Sequence, residues 1–304
     1  EYMAIAPYIH TEYKIASNVM LTAGARYDYN HFDYTNNLAA DSNNSNNKYF
    51  RPASRTDTFS HLSPKLSLSY QPTKDMNLYV RYANGFRIPQ ASRLYSLKPG
   101  YTSDSLDPET SNTYEVGIKK QVGNKSYLEF ATYYMTIDDT ITRYGPSGDY
   151  YYDNGGTTIH KGIEATAQVQ MTDDWATRIA YSYSKSAYDN HVTYGDGEIA
   201  EAPNHTANTR LFYTPSYING LTVMAEWQYV GTYWMNDNHT KSYGGYSIGN
   251  FKVDYDYNKK IKFFGKITNI TDEKYAVSAD GDDSKADYSP ADPRQFYAGI
   301  EYKW

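Results

Sequence analysis

The sequence predicts an all-β protein, a transmembrane antiparallel up-and-down β-barrel of which about thirteen strands are present. Three observations predict this fold. Apolar and polar residues alternate along most of the chain, the connections between the alternating stretches are short and long in turn, and 36 of the 304 residues are tyrosine. Alternation with period two is the pattern of a strand with one apolar face. Tyrosine rings favour membrane–water interfaces and form girdles around transmembrane barrels.

The composition excludes several classes of protein. No stretch approaches the roughly 18–20 consecutive apolar residues of a membrane-spanning helix, whereas a barrel strand needs only alternate residues to be apolar. The chain contains no cysteine, so it holds neither a disulfide nor a thiolate metal site. A formal net charge of −6 argues against a nucleic acid as partner.

Thirteen candidate strands follow one another along the chain. In the third, Leu66 and Leu68 alternate with Lys65 and Ser67. The first is blurred, and because Pro7 lacks a ladder donor, we expect an edge or bulged strand there. The candidates are residues 2–13, 18–29, 65–70, 78–83, 111–121, 126–136, 163–169, 175–184, 205–213, 221–230, 251–256, 261–268 and 295–304.

The connections between these strands alternate strictly between a few residues and a long segment. A sandwich or a propeller has no reason to place every long connection at one end. A transmembrane barrel does, with short periplasmic turns and long extracellular loops. The segments expected to be extracellular loops are 31–60, 87–110, 138–158, 187–204, 231–246 and 271–293.

The strand face opposite the apolar face carries charges. Enclosing such charges in a narrow barrel would be costly, because they would lose their hydration. The pattern therefore favours a wide barrel with a wet or plugged lumen. The charged positions are Arg26, Lys65, Arg81, Glu164, Arg178, Glu226, Lys252, Asp254, Lys262 and Lys266.

The strand count bears on how the barrel closes. An antiparallel barrel closes only when its first and last strands run in opposite directions, and thirteen strands leave them running the same way. An open edge is not tolerated at membrane depth. We therefore expect these strands to be the C-terminal part of a larger barrel. The alternative is that the blurred first stretch holds a different number of strands.

The last strand has a distinctive ending. Its apolar residues share one face, and the chain ends on an aromatic residue. The pattern resembles the C-terminal sorting strand of bacterial outer-membrane barrels, which ends Gly-x-x-apolar-x-aromatic, although Ala298 stands where a polar residue is usual. The residues that would form the sorting strand are Phe296, Gly299, Ile300, Tyr302 and Trp304.

Several further stretches form a characteristic set: residues 63–70 (SPKLSLSY), 79–89 (YVRYANGFRIP), 106–111 (LDPETS) with 114–117 (YEVG), 161–164 (KGIE), 269–275 (NITDEKY) and 293–294 (PR). Together and in this order they resemble the TonB-dependent outer-membrane receptors, with Asp107 where lysine is usual. Each stretch alone is a weak signal, whereas the set covers most of the chain.

The resemblance implies a barrel of about 22 strands filled by an N-terminal plug. Residues 1–304 would be the C-terminal portion of the barrel domain, without the plug. The resemblance also implies an outer-membrane location and high-affinity uptake of a scarce ligand, most often a ferric siderophore. The implied partners are outer-membrane lipid, the ligand, the TonB complex acting through the plug, and the barrel-assembly machinery. We expect no enzyme activity and no cofactor, because no hydrolase, Rossmann or Walker pattern occurs.

Ligand contacts are expected in the long loops and at the rim of the lumen, because loops on a rigid scaffold commonly carry function. Anionic ferric chelates favour arginine or lysine together with aromatic surface. The candidates are Arg87, Arg93, Tyr95, Tyr101, Arg143, Tyr144, Tyr151, Tyr233 and Trp234. The alternative for each is a role in an aromatic girdle or in loop packing.

Other readings stay open at this point. The seven histidines show no metal-ligand spacing. The acidic run 280–283 could offer oxygen ligands to Ca²⁺ or could be a solvated loop. The alternative functions are a passive porin, a receptor for haem, cobalamin or an oligosaccharide, and a soluble carbohydrate-binding β-protein.

Overall fold

The computed structural model describes residues 1–37, 52–97, 106–144 and 151–304. They form strands β1 (Tyr2–Ile5), β2 (Tyr8–Ala16), β3 (Val19–Tyr34), β4 (Arg55–Thr73), β5 (Met76–Arg87), β6 (Glu109–Val122), β7 (Ser126–Asp138), β8 (Ile141–Tyr144), β9 (Tyr151–Asn154), β10 (Thr157–Gln170), β11 (Trp175–Asp189), β12 (His205–Tyr213), β13 (Leu221–Val230), β14 (Tyr233–Trp234), β15 (Ser242–Tyr243), β16 (Tyr246–Asp256), β17 (Ile261–Thr268), β18 (Ala276–Gly281), β19 (Ala286–Pro290) and β20 (Gln295–Tyr302), with one helical turn, α1 (Ala91–Leu94). Among these residues, none belongs to a helix with the length and apolar character needed to cross a membrane.

One large antiparallel sheet dominates the fold. Fourteen strands pair in the order β1-β3-β4-β5-β6-β7-β10-β11-β12-β13-β16-β17-β20, with β2 also on β3. Strands β1 and β2 lie on successive parts of β3, on either side of Pro7. They therefore act as one interrupted strand at the sheet edge, where Pro7 led us to expect an edge strand. The sheet thus has the thirteen strand positions that the sequence predicts.

The two edges of the sheet are unpaired within the described ranges. Strands β1 and β2 pair only with β3, and β20 pairs only with β17. Because each of the thirteen positions is antiparallel to the next, the first and last strands run in the same direction. The described strands therefore form an open sheet, as the parity of the predicted strands requires.

Short and long connections alternate as predicted, but the loops are shorter than expected. Strands β3 and β4 stay paired out to Tyr34 and Arg55, inside the predicted loop 31–60. Three other long connections contain small hairpins, β8–β9, β14–β15 and β18–β19. The sequence predicts long loops at these places and does not indicate the hairpins. These hairpins pack against segments that are distant in sequence. The local alternation of apolar and polar residues contains no information on such packing.

The two faces of the sheet differ as predicted. Val80, Val116 and Ile300 are about half to two-thirds exposed, at 48%, 53% and 69%. Such an apolar face suits contact with lipid. The other face carries charges that are paired by short distances: Arg26–Asp28 at 2.6 Å, Lys119–Glu129 at 2.8 Å, Arg210–Glu226 at 2.6 Å, Lys252–Asp254 at 2.7 Å and Lys262–Asp254 at 3.0 Å.

The buried apolar clusters lie at the end of the sheet that carries the long connections. The first contains Phe32, Leu94, Leu106 and Ile141. The second contains Tyr233, Met235 and Ala279. A spanning strand turns its apolar side chains to lipid, so the packing of apolar side chains in these clusters serves the connections. The connections therefore have a core of their own.

Candidate functional site

A cavity of about 670 Å³ opens among the long connections. The ends of β5, β6, β7 and β10 form its floor, and the β8–β9 hairpin and the connection from β11 to β12 form its sides. Of the predicted ligand residues, Arg87 and Arg143 line it. The lining residues are Gly85, Phe86, Arg87, Glu109, Thr110, Ser111, Ile137, Thr140, Ile141, Thr142, Arg143, Tyr152, Thr158, His160, Tyr188, Tyr194, Ile199 and Asp237.

Arg87 is fixed at the rim by its neighbour across the sheet. Arg87 and Glu109 are direct partners between β5 and β6, and the Arg87 Nε donates to Glu109 Oε2. Glu109 is only 4% exposed, and its Oε1 accepts a hydrogen bond from the Ile141 N–H at 2.7 Å. The buried carboxylate thus balances the Arg87 charge and also anchors the β8–β9 hairpin. Glu109 therefore has a structural role at the start of strand β6.

Arg93 and Tyr95, two other predicted ligand residues, lie in α1 and directly after it, outside the cavity lining. The Arg93 guanidinium lies 4.2 Å from the centre of the Tyr152 ring, a cation–π contact, and Tyr152 lines the cavity. The Tyr95 hydroxyl donates to Asp57 Oδ2 at 2.8 Å, and its ring stacks on Tyr34 at 4.5 Å. Tyr95 therefore packs α1 against β3 and β4.

Tyr144 and Tyr151 belong to an aromatic cluster beside the cavity. Their rings stack at 5.6 Å across the β8–β9 hairpin. Tyr144 also stacks on His191 at 5.6 Å, with an angle of 6° between the planes. Tyr188 and Tyr194 extend the cluster into the cavity lining, with His191 packed against both and Tyr144 stacked on His191. We call this cluster the aromatic wall: Tyr144, Tyr188, His191 and Tyr194.

His191 is the centre of the aromatic wall and is 4% exposed. Its ring lies 4.8 Å from the rings of both Tyr188 and Tyr194. Its Nδ1 accepts hydrogen bonds from the backbone N–H groups of Thr193 at 3.1 Å and Tyr194 at 3.2 Å. In the sequence, the histidines show no metal-ligand spacing, and nothing distinguishes His191 from the other six. No local signal marks His191, because its partners come from two separate connections.

The electrostatics of the wall favour uncharged rings. Burial lowers the pKa of His191, with the nearby Asp237 carboxylate acting in the opposite direction. Burial also raises the pKa of Tyr194, and Asp237 adds to that rise. Both groups are therefore neutral near pH 7. The wall offers aromatic faces and hydroxyl groups rather than phenolates.

Tyr233 and Trp234 lie in the β14–β15 hairpin, outside the cavity lining. Tyr233 is 9% exposed, and its hydroxyl oxygen accepts a hydrogen bond from the Ala279 N–H at 2.8 Å. Trp234 stacks on His239 at 4.8 Å. The Tyr233 bond joins two neighbouring connections, whereas the Trp234–His239 contact lies within one. Tyr101, the remaining predicted ligand residue, lies outside the described residues.

The described parts of the long connections are tied to one another in series. Asp107 N–H donates to the Asn154 Oδ1 at 2.8 Å. The Ala200 N–H donates to Asp237 Oδ1 at 2.9 Å. The Asn236 side chain donates to the Gly281 carbonyl at 2.8 Å. With the Tyr144–His191 contact between the first two, these bonds join connections from β5 to β20. We call this interlocked set the canopy.

The acidic run 280–283 spans the end of β18 and the start of the turn that leads to β19. The Oδ1 of Asp282 accepts hydrogen bonds from the N–H groups of Ser284 at 2.8 Å and Lys285 at 2.9 Å. The hydrogen bond from the Ser284 side chain is the largest of the influences that lower the pKa of Asp282. In the part of the chain that the structure describes, no three His, Cys, Asp or Glu side chains are grouped so that they could hold a metal ion.

The predicted sorting residues lie in or just after β20. Phe296, Ile300, Tyr302 and Trp304 are exposed on its apolar face. Gly299 lies opposite Phe264 of β17, and a Cβ there would come within 2.6 Å of the Phe264 ring. The glycine therefore makes room for an aromatic ring on the lumenal face. Tyr79 lies opposite Gly117 in the same way.

The NITDEKY stretch ends strand β17. Asn269 is 2% exposed and has a φ of 52°. Its side chain donates to the Glu273 carbonyl at 2.9 Å and accepts from the Glu273 N–H at 2.8 Å. Asp272 then accepts from the Arg294 N–H at 2.9 Å. These bonds fix how the chain leaves and re-enters the sheet.

Comparisons with known proteins agree with this architecture. The chain is 29% identical over 269 residues to the ferrioxamine receptor of Yersinia enterocolitica, covering 86% of this chain and 35% of that protein. The crystal structure of the ferric yersiniabactin uptake receptor FyuA from Yersinia pestis matches 99% of this chain and 45% of its own chain, with a TM-score of 0.79 at 15% identity. The copper transporter OprC matches 100% of this chain and 48% of its own, with a TM-score of 0.81 at 16% identity.

The chain thus spans about a third of the length of the ferrioxamine receptor (35%). The structural likenesses show the barrel fold, and because OprC shares it, the fold does not name the ligand. The sequence model of the family "TonB dependent receptor-like, beta-barrel" matches residues 2–270. The chain belongs to this family of β-barrel transport receptors, located in the bacterial outer membrane.

Proposed function

We propose that the chain forms part of the wall and the extracellular ligand site of a receptor for high-affinity uptake of a ferric siderophore. The cavity at the canopy is the observation that carries the proposal. It joins the cations Arg87 and Arg143 to the aromatic rings of Tyr152, Tyr188 and Tyr194. Arginine and aromatic surface suit iron chelates. The receptors for ferrioxamine and ferric yersiniabactin are relatives in sequence and in fold respectively.

The test is equilibrium binding of a ferric hydroxamate and a ferric catecholate to the native protein purified from the outer membrane. Arg143 lines the cavity, so we expect Arg143→Gln to weaken binding about tenfold, or about 1.4 kcal/mol. Lys125→Gln, in the exposed β6–β7 turn at the opposite end of the sheet, is the control and should bind as the wild type does. Failure of both chelates to bind, with binding of haem, cobalamin or an oligosaccharide instead, would contradict the siderophore proposal.

Uptake by this receptor is proposed to need the TonB complex, acting through an N-terminal plug. The family description and the paired lumenal charges support this proposal. In cells, collapse of the proton gradient should stop uptake of the ferric chelate. A passive porin would continue to admit it. Outer-membrane lipid around the apolar face and the barrel-assembly machinery acting on β20 are the other proposed partners.

We also propose that residues 1–304 are the C-terminal portion of a larger barrel domain. The thirteen strand positions with parallel, unpaired edges support this, as does the 35% of the ferrioxamine receptor that the chain covers. The intact mass of the native protein tests it. A mass near twice the 34.7 kDa of this chain is expected, and a mass equal to that of this chain would contradict the proposal.

A further inference from the structure

The hydrogen bonds of His191 define which of its nitrogens carries the proton. Nδ1 accepts from two backbone N–H groups, those of Thr193 and Tyr194, so Nδ1 must be unprotonated. In a neutral imidazole the proton is then on Nε2. That nitrogen lies 3.0 Å from the Tyr144 hydroxyl, which must accept the bond. The geometry thus selects the neutral, Nε2-protonated form.

His191 also closes the turn that carries two rings of the aromatic wall. The His191 N–H donates to the Gly195 carbonyl at 3.0 Å, and the Gly195 N–H donates back at 2.8 Å. Gly195 has a φ of 58°, a conformation that favours glycine. The imidazole fills the inside of this turn, and so it fixes Tyr194 beside the cavity.

We propose that His191 is a positioning residue that holds the aromatic wall against the cavity as a neutral imidazole, and that protonation of His191 releases the wall. A proton on Nδ1 would face the N–H groups of Thr193 and Tyr194 directly. Both hydrogen bonds would have to break, and the turn would have to open for the cation to reach water. When the turn opens, the contact between Tyr144 and His191 is also lost. This contact joins the β8–β9 hairpin to the β11–β12 connection, so its loss frees the two from each other.

The groups that face His191 come from three segments. Tyr188 and Tyr194 belong to its own connection. Tyr144 comes from the β8–β9 hairpin, which also carries Asp153 and Arg143. Burial raises the pKa of Tyr144, and the Asp153 charge adds to that rise. The Arg143 charge opposes the rise that burial causes in the pKa of Tyr194. Asp237, from the β14–β15 connection, bonds to Tyr188. Histidine is the residue type in this set that ordinarily titrates between about pH 5 and 8.

The direction of the pH effect follows from linkage. Burial lowers the pKa of His191 in the closed wall, whereas an exposed histidine titrates near pH 6.5. The open wall therefore binds more protons. The closed wall is fully stable above about pH 6.5 and loses stability as the pH falls below that value. One proton per opening allows at most about a tenfold change in the opening equilibrium per pH unit.

The test is amide hydrogen exchange of the peptide containing Thr193 and Tyr194, measured on the native outer-membrane protein between about pH 7.5 and 5 and corrected for intrinsic rates. It needs no ligand, so its outcome is independent of the siderophore proposal. The protection of this peptide should be constant above about pH 6.5 and should fall by up to tenfold per pH unit below it. A flat wild-type profile would overturn the proposal.

Two variants separate the titration of His191 from its packing. His191→Asn keeps an acceptor near the position of Nδ1 for the N–H groups of Thr193 and Tyr194. In this variant the protection of the peptide should therefore not change with pH. His160→Asn removes the histidine that lines the cavity itself and should keep the wild-type slope. If His191→Asn keeps the wild-type slope, or if His160→Asn abolishes it, His191 is not the titrating group and the proposal is wrong.

Discussion

At the scale of single residues, Gly299 shows how a strand face is shaped for its neighbour. It lies directly opposite Phe264, and the ring occupies the space where a Cβ would project. The sequence marked Gly299 only through its resemblance to a sorting strand. The structure adds a packing reason for a glycine there, which no pattern within β20 alone could show because the partner lies on β17.

Gly299→Ala should destabilise the protein by about 1–3 kcal/mol, because overpacking forces the ring or the backbone to move. Denaturant unfolding of the detergent-solubilised native protein measures this loss. Gly265→Ala is the matched control, since its nearest neighbouring atom would lie 4.0 Å away. Adding Phe264→Ala should remove most of the extra cost of Gly299→Ala. Equal effects of the two glycine substitutions would contradict this explanation.

Glu226 is the most heavily bonded of the described lumenal charges. It accepts hydrogen bonds from Asn208 at 3.0 Å, Arg210 at 2.6 Å and Asn250 at 2.9 Å. These residues lie on three successive strand positions, β12, β13 and β16. The bonds therefore hold the lumenal face of three strands together. The predicted charged face is confirmed, but its pairing could not be read from the sequence without the register.

Glu226→Ala should lower the free energy of unfolding by about 1–3 kcal/mol, since three donors lose their acceptor. The loss should stay below the roughly 3–5 kcal/mol of a fully buried pair, because the Arg210 side chain is 43% exposed and solvent screens it. Glu301→Ala, which breaks an exposed 3.7 Å pair with Lys303, is the control. A Glu226→Ala protein as stable as this control would refute the bridging role.

At the scale of elements, the β8–β9 hairpin is held by its neighbours rather than by its own length. Its strands are four residues each, and an isolated hairpin of that size is at best marginally stable. Ile141 is buried in the first apolar cluster. Asn154 exchanges two hydrogen bonds with the backbone of Asp107 and donates a third to the Asp139 carbonyl at 2.6 Å.

Asn154→Ala should loosen this hairpin, because the backbone groups of Asp107 and Asp139 lose their partners. Amide exchange of residues 141–144 should then accelerate at least tenfold, as measured by mass spectrometry. Asn258→Ala is the matched control. The Asn258 side chain accepts from Lys260 and Ile261 in a short turn at the other end of the sheet. It should leave residues 141–144 unchanged, and equal exchange in both variants would contradict the anchoring role.

The elements also show where prediction from sequence stops. The spanning strands were predictable because each has lipid on one side and water or polar partners on the other. This difference imposes a period-two pattern on the sequence of each strand. The edge position of the first strand was predictable because Pro7 lacks a ladder donor. The β8–β9 and β18–β19 hairpins were not, because Ile141 and Ala279 are buried by residues from other connections. Of the predicted ligand residues, Arg87 and Arg143 line the cavity, whereas Tyr233 and Tyr95 are packed against other connections.

At the scale of the whole molecule, the two ends of the sheet carry different structures. Short turns lie at one end, and the canopy with its cavity lies at the other. The exposed apolar side chains form the face between them. Because long connections of outer-membrane barrels lie on the extracellular side, we expect the canopy to lie outside the cell. The proposed function depends on this orientation more than on any single residue.

The most direct measurement of this orientation is labelling of single cysteines on intact cells, which the chain permits because it contains no cysteine of its own. Val192→Cys, in the canopy, and Lys125→Cys, in a short turn, are exposed positions at opposite ends of the sheet. With a maleimide too large to cross the outer membrane, we predict that the cysteine at 192 is labelled on intact cells. The cysteine at 125 should be labelled only after the membrane is permeabilised. The reverse pattern, or equal labelling of both, would contradict the account.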